Sequence, residues 1–176
     1  MSTHLTERLQ LRIPTAADAD FFVRLMNDAD WLRYIGDRGV RSEQDAVGYI
    51  ENRLLDSFRK FGFGLWVVET RKDAAPVGIC GLLKRDTLED VDLGFAFLPE
   101  ARGRGYAVES ARFVLALAAD GYGLKRVVAI TVPENEASAR VLERLGMTHE
   151  RTLDNDAGPP LRLFAVDVAS SAVPKG

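Results

Sequence analysis

Cysteine is nearly absent from this sequence, which has Cys80 as its single example in 176 residues. No disulfide can form within the chain, and a chain of this length can bury a full core without one. Such cysteine usage is typical of a reducing compartment, so we expect the protein to be cytoplasmic. Cys80 lies in an apolar run, and we interpret it as a small buried hydrophobic side chain.

Long apolar runs and an excess of basic residues are also missing. No stretch approaches the ~20 apolar residues that a membrane-spanning helix needs, and the N-terminal residues lack the apolar core of a signal peptide. The 23 Lys and Arg residues are outnumbered by 26 Asp and Glu residues, which gives a net charge of −3. Nucleic-acid-binding proteins usually carry a basic footprint. We therefore expect neither a membrane nor a nucleic-acid partner.

Strand and helix patterns alternate along the chain without internal repeats. We expect a single domain over residues 1–176, with its core over 8–168 and a tail over 169–176. Apolar alternation and short apolar runs predict strands at 8–13, 64–70, 76–83, 91–98, 124–131, 147–153 and 161–168. Helical spacing predicts helices at 15–26, 42–58, 105–119 and 134–145, with a glycine-containing loop at 31–40. The predicted fold class is α/β (α+β), with a mixed, mostly antiparallel sheet of about seven strands and helices on both faces.

The clearest functional motif is a glycine-rich turn between a predicted strand and the third predicted helix. It reads Leu98-Pro99-Glu100-Ala101-Arg102-Gly103-Arg104-Gly105-Tyr106-Ala107. Glycines let the backbone approach a ligand closely, and a helix start offers free N–H groups and the positive end of a dipole. The turn is therefore suited to a pyrophosphate, with positive charge added by Arg102 and Arg104. The alternative is a turn with a structural role alone.

Two familiar nucleotide-binding motifs do not fit this turn. A dinucleotide-binding fingerprint needs a third glycine where Val108 stands, and a P-loop needs a Gly-Lys-Ser/Thr sequence that is absent. The turn also follows three consecutive strands rather than the first strand of a βαβ unit.

A second motif follows the predicted strand at 124–131. It contains Asn135 at a strand-to-helix junction and Ser138 three residues later, and it ends in Leu145-Gly146-Met147. Asn135 is a good helix N-cap, with or without a ligand. Ser138 is either a functional hydroxyl or a side chain that faces solvent or bonds the backbone.

Together the two motifs resemble those of the GNAT family of N-acetyltransferases. Arg102-Gly103-Arg104-Gly105-Tyr106-Ala107 is similar to the family's cofactor loop, and the segment from Asn135 to Met147 is similar to its second motif. Asp92-Leu93-Gly94-Phe95 resembles the corresponding strand of the branch that acetylates ribosomal-protein N-termini. The resemblance extends over about 8–168 and includes the order of the elements.

The resemblance implies acetyl-CoA as the co-substrate, a primary amine as the acceptor, no metal, and direct attack in a ternary complex. The backbone amides of Gly103, Arg104, Gly105, Tyr106, Ala107 and Val108 would hold the CoA pyrophosphate. The strand end at Phe97 and Leu98 would pair with the pantetheine arm and offer an N–H to the developing oxyanion. Asn135 would bond the pantetheine near the thioester. Dimers are common in the family, so we expect a homodimer.

The sequence departs from the family pattern at the position of the general acid. Many members have a tyrosine seven residues after the asparagine, where this chain has Leu142. In the serine-bearing branch the hydroxyl that corresponds to Ser138 replaces it, and we take Ser138 as a catalytic candidate. A CoA thiolate also leaves tolerably well without an acid. Leu142 is the feature that favours the alternative function, an acyl-CoA-binding sensor without turnover.

Asp92 is the candidate general base, because only the free amine attacks a thioester. Successive side chains of a strand point to opposite faces of the sheet, so Asp92 shares one face with Gly94 and Ala96. The small size of these two residues leaves room for a ligand. The alternative is a solvated aspartate in an acidic cluster, with water or the substrate carrying the proton.

The acceptor is expected to bind near the first two predicted helices. Candidate groove residues are Trp31, Tyr34, Asp37, Lys84, Arg85 and Asp86, although Trp31 and Tyr34 also suit a packing role. The sequence leaves protein N-termini, polyamines, aminoglycosides and amino acids open. The acidic net charge favours a cationic or amine-rich acceptor.

Overall fold

An eight-stranded sheet forms the centre of the protein in the computed structural model, which describes residues 3–168. The strands are β1 His4–Leu5, β2 Leu9–Arg12, β3 Leu65–Thr70, β4 Pro76–Leu83, β5 Asp92–Phe97, β6 Arg126–Thr131, β7 Thr148–Leu153 and β8 Leu161–Asp167. The helices are α1 Ala19–Met26, α2 Ala29–Tyr34, α3 Glu43–Tyr49, α4 Leu55–Phe61, α5 Tyr106–Asp120 and α6 Glu136–Arg144. The tail predicted at 169–176 lies outside the described residues.

The strand order across the sheet is β1-β2-β3-β4-β5-β6-β8-β7. Every neighbouring pair is antiparallel except β5 and β6, which are parallel. The predicted fold class is confirmed, with one strand more than the seven predicted. The additional strand is β1, which has only two residues and so shows no alternation in the sequence. It pairs with β2 after a turn in which the Thr6 N–H donates to Leu9 O at 2.9 Å.

Helices pack on both faces of the sheet. On one face, α5 and α6 bury Val114 and Leu142 against a core that includes Trp66 and the fully buried Cys80. On the other face, α1 and α3 cover side chains such as Val67. The two cores lie on opposite sides because successive side chains of a strand point to opposite faces.

The predicted loop at 31–40 is wrong in its first part, because the helix α2 extends to Tyr34. Asp28 caps this helix by accepting the Trp31 N–H. A six-residue helix is too short to show apolar periodicity, and the neighbouring glycines dominate the pattern. Gly36 and Gly39 do lie in the loop that follows, both with positive φ.

The helix predicted at 42–58 is present but interrupted. It opens with a capping box, in which the Asp45 N–H donates to Ser42 Oγ at 3.0 Å and the Ser42 N–H donates to Asp45 Oδ2 at 3.1 Å. A π-helical turn, Ile50–Leu54, separates α3 from α4. Such a turn bonds i to i+5 and so rotates the residues after it relative to those before it.

Within residues 3–168, no helix is both long and apolar enough to cross a membrane. The His, Cys, Asp and Glu side chains of the same residues form no group of three or more that could hold a metal ion.

Candidate active site

The candidate active site lies where the neighbouring strands β5 and β6 separate. The two strands pair at a single register position, Asp92 with Val128, and the Val128 N–H donates to Val91 O at 3.0 Å. Beyond that point they diverge. A cavity of about 1000 Å³ opens in this strand gap and is lined by residues of both strands. A ligand entering the gap therefore meets exposed backbone edges on both sides.

The backbone groups of Phe95 and Phe97 face the strand gap. The Leu98 N–H donates to Val77 O at 2.9 Å, on the β4 side. Backbone groups alternate in direction along an antiparallel strand, so the N–H groups of Phe97 and Phe95 point away from β4. The expectation that Leu98 faces the cofactor is wrong, because its N–H is used within the sheet and its side chain is buried in the α1 core.

The glycine-rich turn, here called the cofactor loop (residues 102–108), lies at the open end of the gap. Gly103 and Gly105 have φ values of 76° and 80°, a region that glycine adopts without strain. The helix α5 begins at Tyr106, and its first internal bond runs from the Glu109 N–H to Gly105 O at 3.0 Å. The N–H groups of Tyr106, Ala107 and Val108 therefore have no acceptor within the helix. All three residues line the cavity with the two glycines.

The two arginines of this loop differ in how far their charges are compensated. The Arg102 guanidinium bonds Asp28 and Asp30 at the start of α2, the latter at 2.9 Å, and its Nε donates to Phe97 O at 3.1 Å. Two carboxylates compensate its charge, so Arg102 instead joins the cofactor loop to α2. Arg104 is exposed, and its Nε donates to Glu100 O at 3.2 Å. The anion site thus has the backbone amides and the α5 dipole, and a role for Arg104 there stays a prediction.

Arg8 supports the cofactor loop and was missed in the sequence. Its guanidinium donates to Arg104 O at 2.8 Å, lies 4.8 Å from the Tyr106 ring centroid, and pairs with Glu109 at 2.7 Å. The Glu109 hydrogen bond raises the pKa of Arg8. More than 90 residues separate the partners, so no local pattern could have indicated the contact.

The N-terminus of α6 forms another wall of the cavity. Asn135 Oδ1 accepts the Ser138 N–H at 3.1 Å, so Asn135 is the N-cap, and its Nδ2 group is the part that can donate to a ligand. Ser138 is half-buried on the cavity wall. Leu142 also lines the cavity and is buried, so the position of the family's tyrosine faces the site without a proton donor.

Asp92 lies at the closed end of the strand gap and is only 1% exposed. The Arg85 Nε lies 3.2 Å from both of its carboxylate oxygens. Burial raises the pKa of Asp92, while the charge and hydrogen bond of Arg85 act in the opposite direction. The solvated-cluster alternative does not describe this residue. A buried carboxylate with a raised pKa on a cavity wall has the properties of a general base.

The candidate acceptor residues divide into two groups. Trp31, Tyr34, Lys84 and Arg85 line the cavity. Trp31 also belongs to the core and donates from Nε1 to Gly36 O at 3.1 Å, so packing and lining are compatible. Asp37 is exposed and pairs with Arg41, whose hydrogen bond lowers the pKa of Asp37. Asp86 is likewise exposed. Neither belongs to the cavity lining.

Three cavity residues were not identified from the sequence: Arg38, Tyr49 and Arg53. Tyr49 directly precedes the π-helical turn Ile50–Leu54, and Arg53 lies within it. Their i, i+4 spacing puts them on one helix face, which was the available signal. Arg38 lies in the loop after α2, where no sequence pattern indicated a functional role.

A strand pair that opens toward a glycine-rich helix start is suited to an extended thioester with a pyrophosphate at one end. This geometry defines the class of acyl-CoA-dependent acyltransferases. Residues 8–148 match the family described as Acetyltransferase (GNAT) domain, and the chain belongs to that family. The predicted enzyme class, an N-acetyltransferase that uses acetyl-CoA, is thereby confirmed.

Sequence relatives of the chain occur in bacteria and in a fungus. The chain is 28% identical over 152 residues to the Bacillus subtilis protein YkkB, covering 85% of this chain and 87% of that protein. It is also 28% identical to the FsC-acetyl coenzyme A-N(2)-transacetylase of Aspergillus fumigatus, covering 88% and 69% of the two chains.

Two solved structures have the same fold. A GNAT-family acetyltransferase from Bacillus anthracis has a TM-score of 0.80 at 23% identity and covers 95% of this chain and 99% of its own. A ribosomal-protein-S5-alanine acetyltransferase from Vibrio fischeri has a TM-score of 0.80 at 18% identity, covering 97% and 98%.

Proposed function

We propose that the protein acetylates a primary amine by direct attack of the amine on the thioester of acetyl-CoA, with both substrates bound together. The parting of β5 and β6 carries this proposal, because Asp92 lies at its closed end and the cofactor loop at its open end. The acyl carbon would then lie between an anion site and a buried carboxylate.

Backbone groups would bind the donor. The amides from Gly103 to Val108 would hold the pyrophosphate, and Asn135 Nδ2 would donate to the pantetheine. The Phe97 N–H, directed into the strand gap, would stabilise the thioester oxygen as negative charge develops there. The Phe97 carbonyl already accepts from Arg102, which fixes the strand end beside the loop.

Asp92 would receive the proton that the amine releases. As the amine nitrogen bonds the carbonyl carbon, the C–S bond breaks and the sulfur departs as a thiolate. The Ser138 hydroxyl would donate a hydrogen bond to that sulfur. The alternative route through a cysteine acyl-enzyme is disfavoured, because Cys80 is fully buried and burial raises the pKa of its thiol to about 12.

Initial-velocity kinetics test direct attack. With the acetyl-CoA concentration varied at several fixed amine concentrations, double-reciprocal lines are expected to intersect, because both substrates must be bound before chemistry. Parallel lines would indicate a covalent acyl-enzyme and contradict the proposal.

Ser138→Ala is expected to lower kcat more than it changes the KM for acetyl-CoA, because the hydroxyl contact would strengthen in the transition state. The α6 cap should survive, since Asn135 accepts the backbone N–H of Ser138 and not its hydroxyl. Ser138→Thr keeps a hydroxyl and serves as the control that should retain more of kcat. An unchanged kcat in the alanine variant would remove Ser138 from the mechanism.

The homodimer and the cytoplasmic location expected from the sequence stay predictions. So does the assignment of individual roles to Ser138, Asp92 and Asn135.

A further inference from the structure

The loop after α2, the π-helical turn and the segment after β4 each contribute an arginine to the cavity lining, although the whole chain is acidic. We call this part of the cavity the acceptor pocket and define it by Tyr34, Arg38, Tyr49, Arg53 and Arg85, which all line the cavity. Asp92, which Arg85 contacts, lines the same cavity. The net charge of −3 is an average over the whole chain. A ligand in the pocket instead senses the nearest groups, whose field is screened least.

The arginines in this pocket are incompletely compensated. Among residues 3–168, Arg38 and Arg53 have no carboxylate within ion-pair distance, and both are exposed. Lys84 nearby donates only to the backbone carbonyls of Leu88 and Glu89, at 2.8 and 3.0 Å. Neutral carbonyls leave its positive charge in place.

The other acidic residues of the cavity wall are already paired. Asp28 and Asp30 bond Arg102, Glu134 pairs with Arg33 at 3.4 Å, and Glu136 pairs with Arg140 at 3.9 Å. They are therefore poor partners for the cations of the acceptor pocket.

The Asp92–Arg85 pair has a geometry suited to binding a zwitterionic ligand, which carries both an amine and a carboxylate. Arg85 uses its Nε toward both Asp92 oxygens, at 3.2 Å, while its side chain is 37% exposed. Its two terminal nitrogens keep their donors, which form a fork suited to a carboxylate. An amine next to Asp92 would thus place a neighbouring carboxylate of the same ligand beside Arg85.

We propose that the acceptor is a primary amine that carries a carboxylate close to the reacting nitrogen, held by Arg85, Arg53 and Arg38. This rests on the proposed acetyl transfer and narrows its acceptor. The chemistry is shared by a free amino acid and by a peptide N-terminus with an acidic residue nearby. It is opposite in charge to the cationic acceptor that the net charge favoured.

The proposal is tested with matched acceptors, read by CoA release from acetyl-CoA. One arm compares a free amino acid with its carboxamide, and the other compares a peptide with Asp at its second position with the Asn version. The carboxylate is expected to raise kcat/KM by about 10-fold or more in one arm, the usual size of a charge-assisted hydrogen bond. The arm in which the carboxylate raises kcat/KM shows whether the acceptor is a free amino acid or a peptide N-terminus.

Arginine variants link this preference to the pocket. Arg53→Gln and Arg38→Gln are each expected to lower the ratio of kcat/KM for the charged acceptor to kcat/KM for the uncharged acceptor from about 10-fold toward 1, a loss of ~1.4 kcal/mol of preference. Arg53→Lys should retain part of the preference. Arg59→Gln, an exposed arginine of α4 outside the cavity lining, is the matched control and should keep the wild-type preference.

The outcomes separate the two claims. Equal turnover of charged and uncharged acceptors, or an Arg53→Gln variant with an unchanged preference, would overturn the carboxylate acceptor and leave acetyl transfer standing. If none of the amines leads to CoA release, acetyl transfer is overturned, and the acceptor proposal falls with it.

Discussion

Asp92→Asn is expected to lower the rate of acetyl transfer by about 100-fold or more, the usual size of general-base assistance. The asparagine keeps the size of the side chain but cannot accept the amine proton. Because burial raises the pKa of Asp92, the wild-type acid limb in kcat/KM should lie above the range of an ordinary carboxyl group. Activity is lost as the pH falls through that raised pKa, since protonation disables the base.

The pH profile of the Asp92→Asn variant distinguishes a base from a structural carboxylate. The variant should recover partly at high pH, where the free amine is abundant. Asp90→Asn is the matched control, because Asp90 belongs to the same acidic segment but pairs with Arg126 at 3.0 Å. A folded Asp92→Asn variant with the wild-type rate at every pH would exclude Asp92 as the base.

Gly105→Val is expected to weaken acetyl-CoA binding by at least about 10-fold, as measured by calorimetric titration. A β-branched residue at φ 80° is strained by about 1–3 kcal/mol, and its relief would move the loop amides that hold the pyrophosphate. An added Cβ would also lie 3.3 Å from the Arg8 guanidinium, which supports the loop.

Gly123→Val provides the control for backbone strain. Gly123 follows the other end of α5 with φ +64°, and an added Cβ there has no neighbour within 4 Å. Both variants should lose thermal stability, but only Gly105→Val should lose affinity for acetyl-CoA. If Gly105→Val binds acetyl-CoA with wild-type affinity, the loop has a structural role alone.

Local rules explain why the cofactor loop could be predicted. Positive φ at Gly103 and Gly105 and a helix start at Tyr106 are both properties of neighbouring residues, which the sequence displays directly. The same holds for the Ser42 capping box and for Asn135 as the α6 cap.

Contacts between distant segments could not be predicted in this way. Arg102 was placed at the anion site because it neighbours the glycines, yet its charge is compensated by Asp28 and Asp30, more than 70 residues away. Leu98 was assigned to the gap by resemblance, but the strand edge that its N–H faces depends on the pairing with β4, which the sequence does not display. The basic acceptor pocket likewise combines arginines from separate elements, which the net charge conceals.

Acceptor-dependent release of CoA is the measurement that tests the central claim most directly. Purified protein is mixed with acetyl-CoA and a panel of primary amines and N-terminal peptides, and free thiol is followed with a chromogenic disulfide while mass spectrometry detects the acetylated amine. The account predicts stoichiometric thiol and acetylated amine with at least one acceptor, and formation of both about 100-fold or more slower in Asp92→Asn. Acetyl-CoA binding without acetylated product from any amine would contradict it and favour a sensor of acyl-CoA.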